Sequence, residues 1–98
     1  MQQISGAAEY ALGNYAGAIE PLTTYIHGVN NPQRIAHYQL GLSLFETGSD
    51  NARAIEMFNY CSQRENGGNW SDDAITQNSL LHIGIIKLGQ DYKFFNLG

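Results

Sequence analysis

Apolar residues recur along this chain at helical spacing. After Pro32, the positions Ile35, Tyr38, Leu42 and Phe45 share one face of a helix, and Leu40 and Leu44 lie on another. A helix that is apolar on two sides belongs between neighbours. Gly48 follows it, the residue type that accepts the left-handed conformation just past a helix end. The next run, "NARAIEMFNYCSQ", places Ala54, Ile55, Phe58 and Cys61 on a single stripe, the pattern of a helix with one buried face. Earlier in the chain, Ala18, Leu22, Tyr25, Ile26 and Val29 form a comparable stripe. Pro21 interrupts it, so that helix either begins close to Pro21 or has a loose, bent first turn. In "AITQNSLLHIGIIKLG", Ala74, Leu81, Ile85 and Leu88 make one face, and Ile75, Ile83 and Ile86 add a second apolar region. Length and flanks favour a helix over a strand there, with Ser71 or Asp72 as its cap and Gly84 as a point of close helix packing.

The corners between these helices repeat. "LGNYAGAI" at 12–19 returns as "TGSDNARAI" at 47–55 and, more faintly, as "LGQDYKFF" at 88–95. The pair Ala18-Ile19 returns 36 residues later as Ala54-Ile55. The glycines Gly13, Gly48 and Gly89 stand 35 and then 41 residues apart. A period in the high thirties predicts an all-α chain of helix-hairpin units. The units run over about 1–31, 32–66 and 71–98, the last incomplete. The extended loop falls at 65–72, with Trp70 expected to fold back over a hairpin.

The middle unit resembles the tetratricopeptide repeat family. "YQLGLSLFETG" looks like that family's first helix, with its Leu-Gly pair at Leu40-Gly41. "ARAIEMFNYC" looks like its second, with the small residue at Ala54, the large one at Phe58 and a small packing residue at Cys61. "GNYAGAIEPLTTY" carries the same pattern in the first unit, and Gly6 aligns with Gly41. The third unit departs from it: His82 stands where Gly41 would align, and Phe94 stands near the expected small residue. Sel1-like repeats, a related helical-hairpin family, are the nearest alternative. The resemblance implies a right-handed superhelical stack of antiparallel helix pairs, about two and a half repeats long. Gly13, Ala18, Gly41, Gly48, Ala54, Phe58 and Gly89 would then be the residues that pack and turn the repeat. It also implies a concave groove lined by Tyr38, Leu42 and Phe45 and extended by Tyr10, Ile83 and Ile86, with Gln3, Ala7 and Ser79 nearby. Some family members clamp a terminal carboxylate with Lys and Asn at such positions. Neither residue occurs in this set, which leaves an apolar and aromatic groove.

Composition narrows the function classes. The 98 residues fit one domain, long enough to bury a core without disulfide or metal staples. Charged residues make up only 14% of the chain, and the net charge is −4. The five basic residues, Arg34, Arg53, Arg64, Lys87 and Lys93, are scattered, so no patch for nucleic acid or anionic lipid is legible. Apolar runs fall short of the ~18 residues a membrane-spanning helix requires. Cys61, the single cysteine, sits in an apolar stripe and reads as a buried, inert thiol. His27, His37 and His82 lie in separate units and read as surface or cap residues rather than metal ligands. Asp72-Asp73 suit a helix N-terminus better than acid–base work. No phosphate-binding glycine motif or nucleophile elbow occurs, so neither a catalytic set nor a cofactor is expected.

The expected function is therefore protein–protein interaction without catalysis. Two readings of the apolar row stand side by side. It is either a groove for a peptide or helix, or a packing face covered by a neighbouring segment or a second copy. The second reading makes the chain a structural fragment of an assembly or envelope protein, and "KFFNLG" stops without a helix end, as a piece of a longer protein would. The compartment stays open between cytoplasm and envelope.

Overall fold

The computed structural model describes residues 5–62 and 74–96. These residues form five α-helices and no strand: α1 (Ser5–Ala11), α2 (Tyr15–Gly28), α3 (Arg34–Thr47), α4 (Asn51–Ser62) and α5 (Ala74–Asn96). Each helix packs on the next in sequence, and α3 also touches α1 and α5. Trp70, the 65–72 loop, the Ser71 or Asp72 cap and Gln3 lie outside the described residues.

Two corners use one device. Gly13 adopts φ 81° and Gly48 φ 66°, the left-handed region open to glycine. The Gly13 amide donates to Tyr10 O at 3.0 Å, and the Gly48 amide to Phe45 O at 3.1 Å. Both glycines are exposed and touch nothing that a side chain would disturb, so they turn the chain and do not pack it. A capping side chain comes after each. Asn14 Oδ1 accepts from the Gly17 amide at 3.2 Å, and Asp50 Oδ1 from the Arg53 amide at 3.0 Å. One extra residue, Ser49, separates glycine from cap in the second corner. This insertion explains why the glycines repeat at 35 residues and the alanines at 36.

The core lies where the helices cross. Ala18, Leu22, Ala54 and Phe58 are fully buried, with Ala36, Leu40 and Leu44 contributed by α3. The close approaches repeat as well. A Cβ at Gly6 would fall against Leu22, and a Cβ at Gly41 would meet the Phe58 ring and Met57. Pro21 lies inside α2, which begins at Tyr15 with Asn14 as its cap.

The third corner is absent. Gly89 was expected to end a helix, but α5 runs through it to Asn96 as one helix of 23 residues. The physical difference lies in the residues after the glycine. The first two corners lead to small residues, Ala18 and Ala54, which are fully buried at the crossings. The equivalent stretch after Gly89 reads Tyr92-Lys93-Phe94-Phe95 and offers no small residue on which a hairpin could close. Gly89 and Gly84 are both exposed with open space around them, so neither marks close packing.

Of the two apolar regions of α5, one is turned inward. Leu81, Ile85 and Leu88 are exposed, and the face turned inward is Thr76, Ser79, Ile83 and Ile86. Arg34 of α3 accounts for this choice. Its guanidinium donates to Cys61 O through Nε at 3.1 Å and through Nη2 at 2.6 Å, and Nη2 also donates to Thr76 Oγ1. Thr76 Oγ1 in turn donates to Cys61 O at 3.3 Å. The Cys61 carbonyl near the end of α4 is thereby satisfied by the two neighbouring helices, and a face carrying Thr and Ser meets this polar clasp better than one carrying leucines. A second cross-link ties the units together, with Arg53 Nη2 donating to Thr23 Oγ1 at 2.7 Å.

Candidate interaction face

The aromatic row crosses from α1 to α3. Tyr10 is half-buried on α1, its ring edge-on to Tyr15 at 5.6 Å. Tyr38, Leu42 and Phe45 of α3 are half-buried and lean on the core. Burial pushes the Tyr10 phenol above its ordinary range, and Tyr38, Tyr15 and Glu46 push in the same direction, so these side chains share a neighbourhood. Burial also raises the Tyr38 phenol, against the opposing effect of its hydrogen bond with Asn78 and with a small further push from the Cys61 thiol. Both phenols stay neutral hydrogen-bonding groups at physiological pH.

Ile83 and Ile86, expected on this row, belong instead to the core, at 9% and 4% exposure. They sit on the inward face of α5, on the side of the Arg34 clasp. Other α5 residues take up that edge. His82 stacks on Phe58 at 5.2 Å and meets Phe45 edge-on at 5.0 Å, while its Nδ1 lies 2.7 Å from Asn78 O. The row therefore runs Tyr10, Tyr38, Leu42, Phe45 and His82, with Asn78 beside Tyr38. Phe58 forms its floor, edge-on to Tyr38 at 6.1 Å. One sequence signal pointed to His82: a ring occupies the position where the repeat asks for glycine. Ala7 lies on α1, and Ser79 is buried with an Oγ that has no hydrogen-bond partner among the described residues.

His37 was expected as a surface or cap residue. It is buried, stacked on Tyr60 at 3.8 Å, with Nδ1 at 3.1 Å from Gln33 O. Burial lowers its pKa below 6.5, against the raising effect of that backbone bond. The folded imidazole thus binds a proton less tightly than the unfolded one. Its contribution to stability is complete above about pH 6.5 and is lost as pH falls toward the lowered native value. The urea midpoint is expected to drop between pH 7.5 and 5.5, and to drop less in His37→Phe, which keeps the stack and removes the titration. Equal drops in the two proteins would show that His37 is not responsible.

Among the described residues, no three His, Cys, Asp or Glu side chains gather as metal ligands would. Cys61 is buried, and its Sγ lies 3.5 Å from Arg34 O. No described helix is long and apolar enough to cross a membrane. No family model, curated protein or solved structure matches the chain. The resemblance to tetratricopeptide repeats therefore rests on the residues themselves.

Proposed function

We propose that this chain is a non-catalytic interaction scaffold of the tetratricopeptide type, a right-handed stack of helix pairs that holds an apolar peptide or helix along Tyr10, Tyr38, Leu42 and Phe45. The observation that carries this reading is the half-buried aromatic row spanning α1 and α3. Side chains of this kind are anchored from below and still offer ring surface above, the property that makes aromatic residues effective binding anchors. The two neutral phenols add hydrogen-bonding ends. The row contains no Lys or Arg, and Glu46 stands near Tyr10, so the fitting ligand is apolar and not acidic. Nucleic acid does not fit this chemistry.

Phe45→Glu tests the reading. A charged group in the middle of the row is expected to weaken capture of the partner at least tenfold, about 1.4 kcal/mol. Asn59→Glu, on the exposed side of α4, is expected to leave capture unchanged. Circular dichroism checks that both variants stay helical. Equal capture by folded Phe45→Glu and by the unmodified chain would rule the groove out. The alternative reading is a structural piece whose apolar row packs against a copy of itself.

A further inference from the structure

The two ends of the aromatic row differ in chemistry. Toward α5 its side chains find partners within the fold: the Tyr38 phenol bonds to Asn78, and Phe45 meets the His82 ring. At the α1 end, Tyr10 and Tyr15 are both half-buried, with centroids 5.6 Å apart and planes inclined at 72°. Two rings at that angle make a corner with aromatic walls. The corner is braced, because Glu9 Oε2 accepts from Asn14 Nδ2 at 2.6 Å and so ties together the residues that precede the two rings. Helix α3 touches α1. On α3, Tyr38, Leu42 and Glu46 follow one another at four-residue steps, along one ridge. Both Tyr38 and Glu46 act on the Tyr10 phenol, which sets this ridge beside the corner. Glu46 is exposed and enters no ion pair among the described residues.

This end of the molecule carries negative charge and no positive charge from nearby chain. Glu9 and Glu20 precede Arg34, and no Lys or Arg does. Arg34 is the one basic residue of α3 and stands twelve residues before Glu46, about 18 Å away along the helix. Its guanidinium is held there by Cys61 O and Thr76. Arg53, the other arginine among the described residues, is held by Thr23. The complement that the corner requires must therefore come from a ligand.

The side chains specify that ligand. The face of an aromatic ring attracts a cation lying within about 6 Å of its centroid. A carboxylate accepts paired hydrogen bonds from a guanidinium. An arginine side chain satisfies both at once, since its plane stacks on a ring while its fork meets the carboxylate. A lysine ammonium is compact and strongly hydrated, and brings charge without the planar fit. Acidic side chains are repelled by the rings and by Glu46 alike.

We propose that the α1 end of the row, formed by Tyr10, Tyr15, Tyr38 and Glu46, is a subsite for an arginine side chain of the bound peptide. The subsite rests on the peptide-groove reading above and gives it a sequence preference: apolar residues along Leu42 and Phe45, and an arginine at the Tyr10 end.

A random library of short peptides, selected on the unmodified chain, is the test. The enriched peptides are expected to place an arginine beside apolar residues. Calorimetry on the strongest of them then measures the subsite. Replacing that arginine by glutamine is expected to weaken binding about fivefold, the size of a ring contact plus an exposed ion pair. In Glu46→Gln, whose site is exposed and whose helix content is expected to stay unchanged, the same replacement is expected to cost clearly less. Added salt is expected to narrow the difference between the two peptides. Enriched peptides without an arginine preference would overturn the subsite, and so would an arginine whose loss costs the same in both chains. In those cases the groove itself still stands if Phe45→Glu abolishes binding. No enrichment at all would overturn the subsite and the groove together.

Discussion

Phe58→Ala is expected to remove about 3–5 kcal/mol of stability, as truncations of buried phenylalanine do. Small domains are stabilised by about 5–15 kcal/mol in total, so this one change takes a large share of the margin. The size of the effect reflects where the ring sits. Phe58 is fully buried and touches three helices: its own α4, α3 through Gly41 and Tyr38, and α5 through His82. The residues opposite it are fixed by the Gly48 corner and the Arg34 clasp, so they cannot collapse into the space a lost ring would leave. The same ring is the floor beneath Tyr38 and His82, and its loss is expected to loosen the interaction face too. A urea titration followed by circular dichroism measures the change. A loss under about 1 kcal/mol would mean that the three helices are not packed around this side chain.

Gly41→Leu is expected to destabilise by about 3 kcal/mol, the upper part of the range for overfilled cores. A Cβ at Gly41 alone would lie 2.9 Å from Phe58 Cε1 and 3.2 Å from Met57 Cβ, and the rest of a leucine has nowhere to go. Two effects oppose each other here. Glycine inside a helix is worse than alanine by about 1 kcal/mol, so leucine, a good helix former, recovers most of that, and in this pocket the steric conflict outweighs it. Gly84 isolates the helix term. It lies in α5 with nothing near the position of an added Cβ, and Gly84→Ala is expected to gain about 1 kcal/mol. Opposite signs at the two glycines, read as shifts in the urea midpoint, would verify the packing at Gly41. A stabilising Gly41→Leu would show that α3 and α4 do not approach as closely as the structure places them.

Much of the fold was legible in the sequence because it obeys short-range rules. Gly48 as the residue past α3 and the fully buried Ala54, Phe58 and Cys61 could be read from spacing and residue type. Those features depend on backbone sterics and on a period of 3.6 residues, which operate within a few positions of the chain. Part of the candidate face was legible as well: Tyr10, Tyr38, Leu42 and Phe45 lean on the core with surface left over. Its α5 edge was not, and the isoleucines expected there proved to be core.

The sequence by itself determined that this chain is helical, where two of its corners fall, and which small residues stand at the first two crossings. Only the tertiary structure decided the fate of α5. Two apolar faces competed for one buried position, and periodicity ranks such faces without choosing between them. The choice came from Arg34, which lies 42 residues before Thr76 and shares with it the carbonyl of Cys61. Other distant neighbours hold the remaining rings: His37 stacks on Tyr60, and His82 stacks on Phe58. Each of these outcomes depends on the shape and polarity of a surface that forms only once the helices have packed.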